Sequence, residues 1–282
     1  MLAPALMICS PPVRGQAAVA SPLSTPAKVW ATEASEHELK IIQYNSPYLR
    51  YRIHMIGAKG DQVRDVVESK DGTVARLIYK ENRPLTPEED SAEHERLQAM
   101  IDSPAAFAKH IKGDQTGKKT AVDLVKLMPE SMIWSFTPGQ PQRPSVIERH
   151  GEPEVVIDYT PDPKWNPPNT TAEALTGLRG RLWVDAKTHR MMKLEGSIFQ
   201  GVNFGWGILA HIYPGGEVSL EQTRVSDERW IFSHFVEHVT IRAMMVKTLH
   251  ESSDIQASNF GEIGAMSYQD AIHLLLSTPL PK

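Results

Sequence analysis

Thiols are nearly missing from this chain of 282 residues: its one cysteine is Cys9, near the N-terminus. A mature chain without it has no disulfides, thiolate zinc sites or cysteine nucleophile, which also suits an oxidising compartment. A net charge of −4, with no block of like charge, removes the electrostatic motive for binding nucleic acid. No apolar run approaches the ~20 residues that a membrane-spanning helix needs, so an integral membrane protein is not expected. Reactive motifs are scarce too. The chain holds no G-x-S-x-G elbow, dinucleotide fingerprint or calcium loop, and nothing in it calls for a cofactor. Gly113-Asp-Gln-Thr-Gly117-Lys118-Lys119-Thr120 imitates a phosphate loop but is one residue short between its glycines. It follows a helical segment rather than a strand, and reads as a solvated helix connection.

What remains is patterning. Alternate positions from Val202 to Ile212 are Val202, Phe204, Trp206, Ile208, Ala210 and Ile212, a period of two that only a strand can use. This segment is read as one half-buried strand. Similar alternation marks Leu49–Met55, Met191–Phe199, Val218–Val225 and Trp230–Met245, while Asp71-Gly72 between Gln62–Ser69 and Thr73–Lys80 signals a tight hairpin. Strands are also expected over Ile133–Thr137, Ser145–Arg149 and Val155–Thr160.

Helices start where capping residues precede proline. Thr25-Pro26 opens a helix running to Gln43, and Thr86-Pro87-Glu88-Glu89 combines a capping threonine, a first-turn proline and a returning glutamate. Ser103-Pro104 starts a segment to Lys112, and a further segment from Thr120 to Met128 is expected to stop at Pro129. A last helix covers Tyr268–Leu276. These elements predict an α+β protein: a curved antiparallel sheet, an incomplete β-barrel, wrapped over helices.

The N-terminal run Met1–Cys9, followed by Ala18-Val19-Ala20, resembles a secretory signal peptide over residues 1–20, although its basic segment is missing. A lipoprotein signal ending at Cys9 is the rival, but Ile8 is larger than the residue that signal prefers. The expectation is an exported, periplasmic protein. No linker separates independent units, so 21–282 is read as one domain with a helical insertion over 86–128.

His234-Phe-Val-Glu237-His238 matches the H-x-x-E-H motif of inverted zinc peptidases. That motif works on a helix, whereas alternation here predicts a strand, with Trp230, Phe232, His234, Val236 and His238 on one face and Glu237 on the other. A metal-dependent hydrolase using His234 and His238 is therefore the distant alternative.

At Gly180-Arg-Leu-Trp183-Val184-Asp185, with Met191-Met-Lys193-Leu194-Glu195-Gly196 across a polar turn, the chain resembles the periplasmic outer-membrane lipoprotein-sorting superfamily of LolA-like proteins. It is also similar to a group of exported bacterial proteins with the same Trp-Val-Asp and Phe-Gly stretches. The resemblance implies a half-barrel closed by helices that holds a lipid or the acyl chains of a lipoprotein, with an envelope protein as a further partner. No ligand-gripping residue of the carriers matches a position here, and the chain is longer, chiefly in its helical insertion. The candidate ligand-binding wall is accordingly read from the pattern alone: Val202, Phe204, Trp206, Ile208 and Ile212. A non-catalytic interaction or sensor module on the same fold, its core filled, is the alternative; neither role is enzymatic.

Overall fold

The computed structural model describes residues 22–43, 46–144, 153–204, 209–227, 229–243 and 247–281. Residues 1–21, with the expected cleavage site, lie outside the described residues, as do the expected strand Ser145–Arg149, Trp206 and Ile208.

The fold is α+β, built on an open antiparallel sheet of 13 strands. Its first strands are β1 (Tyr48–Gly57), β2 (Gly60–Ser69), β3 (Gly72–Lys80) and the two-residue β4 (Arg83–Pro84). After the helices come β5 (Met132–Phe136), β6 (Glu154–Pro161), β7 (Leu178–Asp185) and β8 (Met191–Ile198). Then follow β9 (Val202–Phe204), β10 (Ala210–Ile212), β11 (Glu217–Arg224), β12 (Trp230–Ala243) and β13 (Lys247–Ile263). Across the sheet the order is β4-β3-β2-β1-β13-β12-β11-β8-β7-β6-β5, so the last long strand, β13, joins the N-terminal hairpins to the later meander.

Helix α1 (Ala27–Gln43) presses Trp30, Ala31 and Ala34 onto Val155, Ile157, Leu182 and Val184 of β6 and β7. At the opposite end, α2 (Pro87–Asp102) and the C-terminal α4 (Tyr268–Ser277) cover β2 and β3, where Leu97, Met100, Ile272 and Leu275 enclose Val67 and Val74. The Arg76 guanidinium locks this end. Its Nη1 donates to the carbonyls of Leu275 (2.7 Å) and Thr278 (2.9 Å) at the end of α4, and its Nη2 to Asp90 of α2 (2.9 Å). A cation is favoured there because the last carbonyls of a helix carry unpaired negative charge. The capping box at α2 forms as the sequence predicts, with Thr86 and Glu89 exchanging both hydrogen bonds.

The third helix departs from expectation. Instead of two segments and a loop, α3 is one helix of 28 residues, Pro104–Ser131, running through Gly113 and Gly117. Its first turns pack on the β2–β3 end, where Phe107 stacks on Tyr268 with ring centroids 3.7 Å apart. Its last turns pack on α1. Pro129 does not stop it: proline lacks the N–H that the Val125 carbonyl would accept, and Ser35 Oγ of α1 donates to that carbonyl instead, at 2.7 Å. The helix therefore bridges the two helical clusters like a strap over the middle of the sheet.

The expected strand Val202–Ile212 is a hairpin. Phe204 pairs with Ala210 and Val202 with Ile212, so the chain reverses between them. Residues directly opposite in an antiparallel pair share a face, and here even-numbered residues oppose even-numbered ones. The period of two thus survives the reversal and cannot distinguish a hairpin from one long strand.

Candidate ligand-binding site

The α2–α4 cluster packs on Val67 and Val74, on the opposite face from Tyr51 and Val66, and over the latter face the stripe of α1 packs down at the β6–β7 end and leaves the space beyond it unfilled. A hollow of about 700 Å³ lies there, roofed by α1 and α3, within the roughly 300–1,000 Å³ typical of small-molecule sites. Its floor is a ladder running across the strands. Phe136, Ile157, Leu182, Leu194, Leu220, Phe235, Ile255 and Met55 are successive cross-strand partners from β5 through β6, β7, β8, β11, β12 and β13 to β1. Cross-strand partners project to the same side of a sheet, so the register makes one apolar row of them. The two outer members at the β5 end, Phe136 and Ile157, pack against α1, while Leu182, Leu194, Leu220, Phe235 and Ile255 line the hollow.

Two register shifts widen this floor. Pairing slips between Glu221 and Gln222 on β11, leaving Ser233 as the extra residue of β12, so Phe232 and Phe235 both line the hollow. Strict alternation places these two phenylalanines on opposite faces, and the bulge corrects that expectation. A second shift, at Trp183/Val184, leaves Met192 extra and turns Met191 inward beside Leu194, where alternation favours Met192. From the roof, Ala31, Ala34, Ile41 and Ile42 of α1 and Ala121, Val125 and Met128 of α3 complete an apolar wall. The exposed Asp114, Gly117 and Lys118 of α3 stand at its rim.

Two polar pairs interrupt the wall. Glu38 of α1 and Gln222 of β11 are 6 % and 7 % exposed, and Gln222 Nε2 donates to Glu38 Oε2 at 2.7 Å. Neither the other carboxylate oxygen nor the amide oxygen has a hydrogen-bond partner among the described residues. Burial pushes the Glu38 carboxyl up to about 7, with the Gln222 bond and the charge of Arg190 opposing that rise. The second pair is ionic: Arg229, before β12, donates from Nη2 to Glu68 Oε1 of β2 at 2.6 Å, and Leu49 N donates to Glu68 Oε2 at 3.0 Å. Burial raises the Glu68 carboxyl against the pull of Arg229, whose Nε has no partner among the described residues.

None of the three described members of the expected wall lines this hollow. Val202 is buried against the 3₁₀ turn Thr171–Gly177, where an added Cβ on Gly177 would strike its side chain. Half-buried Phe204 pairs with Ala210, and Ile212 pairs with Ile241 on β12. The residues that line the hollow are scattered one or two to a strand along the sequence, and only the strand register assembles them.

A second depression, of about 580 Å³, lies on the other face of the sheet among Asp158, Arg181, Glu195 and Glu217. Arg181 Nε donates to Asp158 at 2.7 Å and Lys193 pairs with Glu195 at 2.7 Å, so two of its carboxylates are answered by cations.

The H-x-x-E-H residues sit on β12, where strand alternation puts His234 and His238 on one face and Glu237 on the other. His234 Nε2 lies 3.0 Å from Asp254 Oδ1, and His238 Nδ1 lies 3.0 Å from Ser252 Oγ. Among the described residues no group of three His, Cys, Asp or Glu side chains is placed to hold a metal ion, and no helix is long and apolar enough to cross a membrane.

The chain matches no protein-family model and no curated protein. Among solved structures it is similar to a DUF1329 family protein from Desulfovibrio piger, at 11 % identity and a TM-score of 0.34 over 86 % of this chain and 95 % of that one. A superposition that loose transfers neither residue roles nor a ligand.

Proposed function

We propose that this protein is an exported, non-enzymatic binding protein that holds an acyl chain in the hollow between the sheet and helices α1 and α3. The observation that carries the reading is the cross-strand ladder Leu194–Leu220–Phe235–Ile255, a continuous apolar floor of half-buried residues that runs on from Leu182, which α1 covers. A core that merely needed filling would bring a helix stripe down onto that row. The lipoprotein-sorting resemblance around Trp183 and Leu194 supports the same class of ligand, lipid or the acyl chains of a lipoprotein, and an envelope location. Leu182 and Leu194, which lie inside the stretches that carry the resemblance, are themselves floor residues.

Native mass spectrometry of protein purified from its own host tests this. The expected result is a stoichiometric mass increment that organic extraction releases as lipid. A bare protein that also takes up no acyl ligand added in vitro would overturn the reading in favour of a filled-core interaction module, and stoichiometric zinc would favour the hydrolase.

A further inference from the structure

The hollow's apolar floor says nothing about the polar end of its ligand, but the Glu38–Gln222 pair does. We propose that the hollow selects a single-chain amphiphile with an uncharged, hydroxyl-bearing head group, of the monoacylglycerol type, whose hydroxyl is seated between Glu38 and Gln222. This rests on the acyl-binding reading above and specifies the ligand's head.

The two side chains satisfy each other only once. After Gln222 Nε2 has donated to Glu38 Oε2, the remaining Oε1 of each is buried and without a partner among the described residues, although both line the hollow. An unpaired buried acceptor is costly, and a ligand bearing donors recovers that cost on binding. A bare hydrocarbon or a methyl ester brings no donor.

Charge then narrows the class. A carboxylate head would turn acceptors toward acceptors and set a second negative charge beside Glu38. An ammonium head brings donors but no acceptor, so it cannot take a hydrogen bond from a protonated Glu38 carboxyl, and the charge of Arg190 already acts on that carboxyl. A hydroxyl both donates and accepts, so it suits Glu38 whether its carboxyl is ionised or protonated. With the carboxyl pushed up to about 7, both forms are populated near neutrality.

The test is displacement of a neutral apolar fluorophore, N-phenyl-1-naphthylamine, from the full chain. The competitors are a monoacylglycerol and the methyl ester, fatty acid and alkylamine of the same chain length. At about pH 8, where Glu38 is mostly ionised, the monoacylglycerol should displace the probe at a concentration at least about tenfold below that of each competitor. Glu38→Leu and Gln222→Leu should each erase most of that advantage. Ile255→Ala, on the floor, should weaken all four ligands and keep their ranking. Cooperative unfolding establishes that each variant is folded, and if Glu38→Leu does not fold, Gln222→Leu decides. Equal displacement by monoacylglycerol and methyl ester, tighter binding of the fatty acid or the amine, or an undiminished advantage in Gln222→Leu would overturn the assignment while leaving the acyl-binding reading intact. Failure of the fluorophore and all four ligands to bind would overturn both.

Discussion

Glu38 breaks the rule that carboxylates face water, and its consequences can be measured without knowing any ligand. In the unfolded chain its carboxyl has the ordinary value of 4.5, and in the folded protein burial raises it to about 7. The folded state therefore holds this proton more tightly than the unfolded state does. No penalty falls on folding below pH 4.5; it grows as the pH rises through the interval and is complete above 7. The gap corresponds to about 3 kcal/mol of stability lost between those limits. Glu38→Gln has no proton to lose, so its stability relative to the parent should rise across the same interval by about that amount, read from urea unfolding at a series of pH values. Curves for parent and variant that stay parallel from acid to alkaline pH would show that Glu38 is not buried as described.

At the scale of elements, α3 shows how a helix outlasts its own breakers. Its proline orphans the Val125 carbonyl, and Ser35 of α1 answers it, so a defect in one helix becomes a tie between two. Ser35→Ala should cost about 1 kcal/mol, the usual net worth of such a bond. In a Pro129→Ala background residue 129 regains its N–H, Val125 is satisfied within the helix, and Ser35→Ala should cost clearly less. A double-mutant cycle in urea measures the coupling, and strictly additive costs would contradict the tie.

The starts of α2 and α3 were legible because capping threonine, serine and proline act locally. The continuity of α3 was not. Gly113, Gly117 and their polar neighbours read as a loop, and the helix is held by contacts at its two ends: the Phe107–Tyr268 stack and the Ser35–Val125 bond. The bulges at Met192 and Ser233 escaped for a related reason. A bulge moves the phase of a strand by one residue, and which residue is extra depends on the neighbouring strand.

For the whole molecule, the sequence showed that a large antiparallel sheet meets helices, since period-two segments and capped helix starts are both written along the chain. The floor of the hollow is not written that way. It takes one residue from each of several strands that are distant in sequence, Leu182 from β7 and Ile255 from β13 among them, and only register brings them into line. The Val202–Ile212 alternation was conspicuous because it is local, and for the same reason it marked a hairpin beside the sheet's main path.

The central claim, that this floor is a binding surface and not a packed core, is tested most directly by pairing stability with ligand affinity in the same variants. Ile157, with 0 % exposure beneath α1, is the reference for a packed position, and Ile157→Ala should cost about 2–5 kcal/mol. Half-buried Leu220 and Phe235 face the hollow and have fewer partners to lose. Leu220→Ala and Phe235→Ala should each cost less than about 1.5 kcal/mol in the unliganded protein and weaken binding of a fluorescent acyl probe by about tenfold or more. Losses at Leu220 and Phe235 as large as at Ile157, with no acyl binding by the parent protein, would contradict the account.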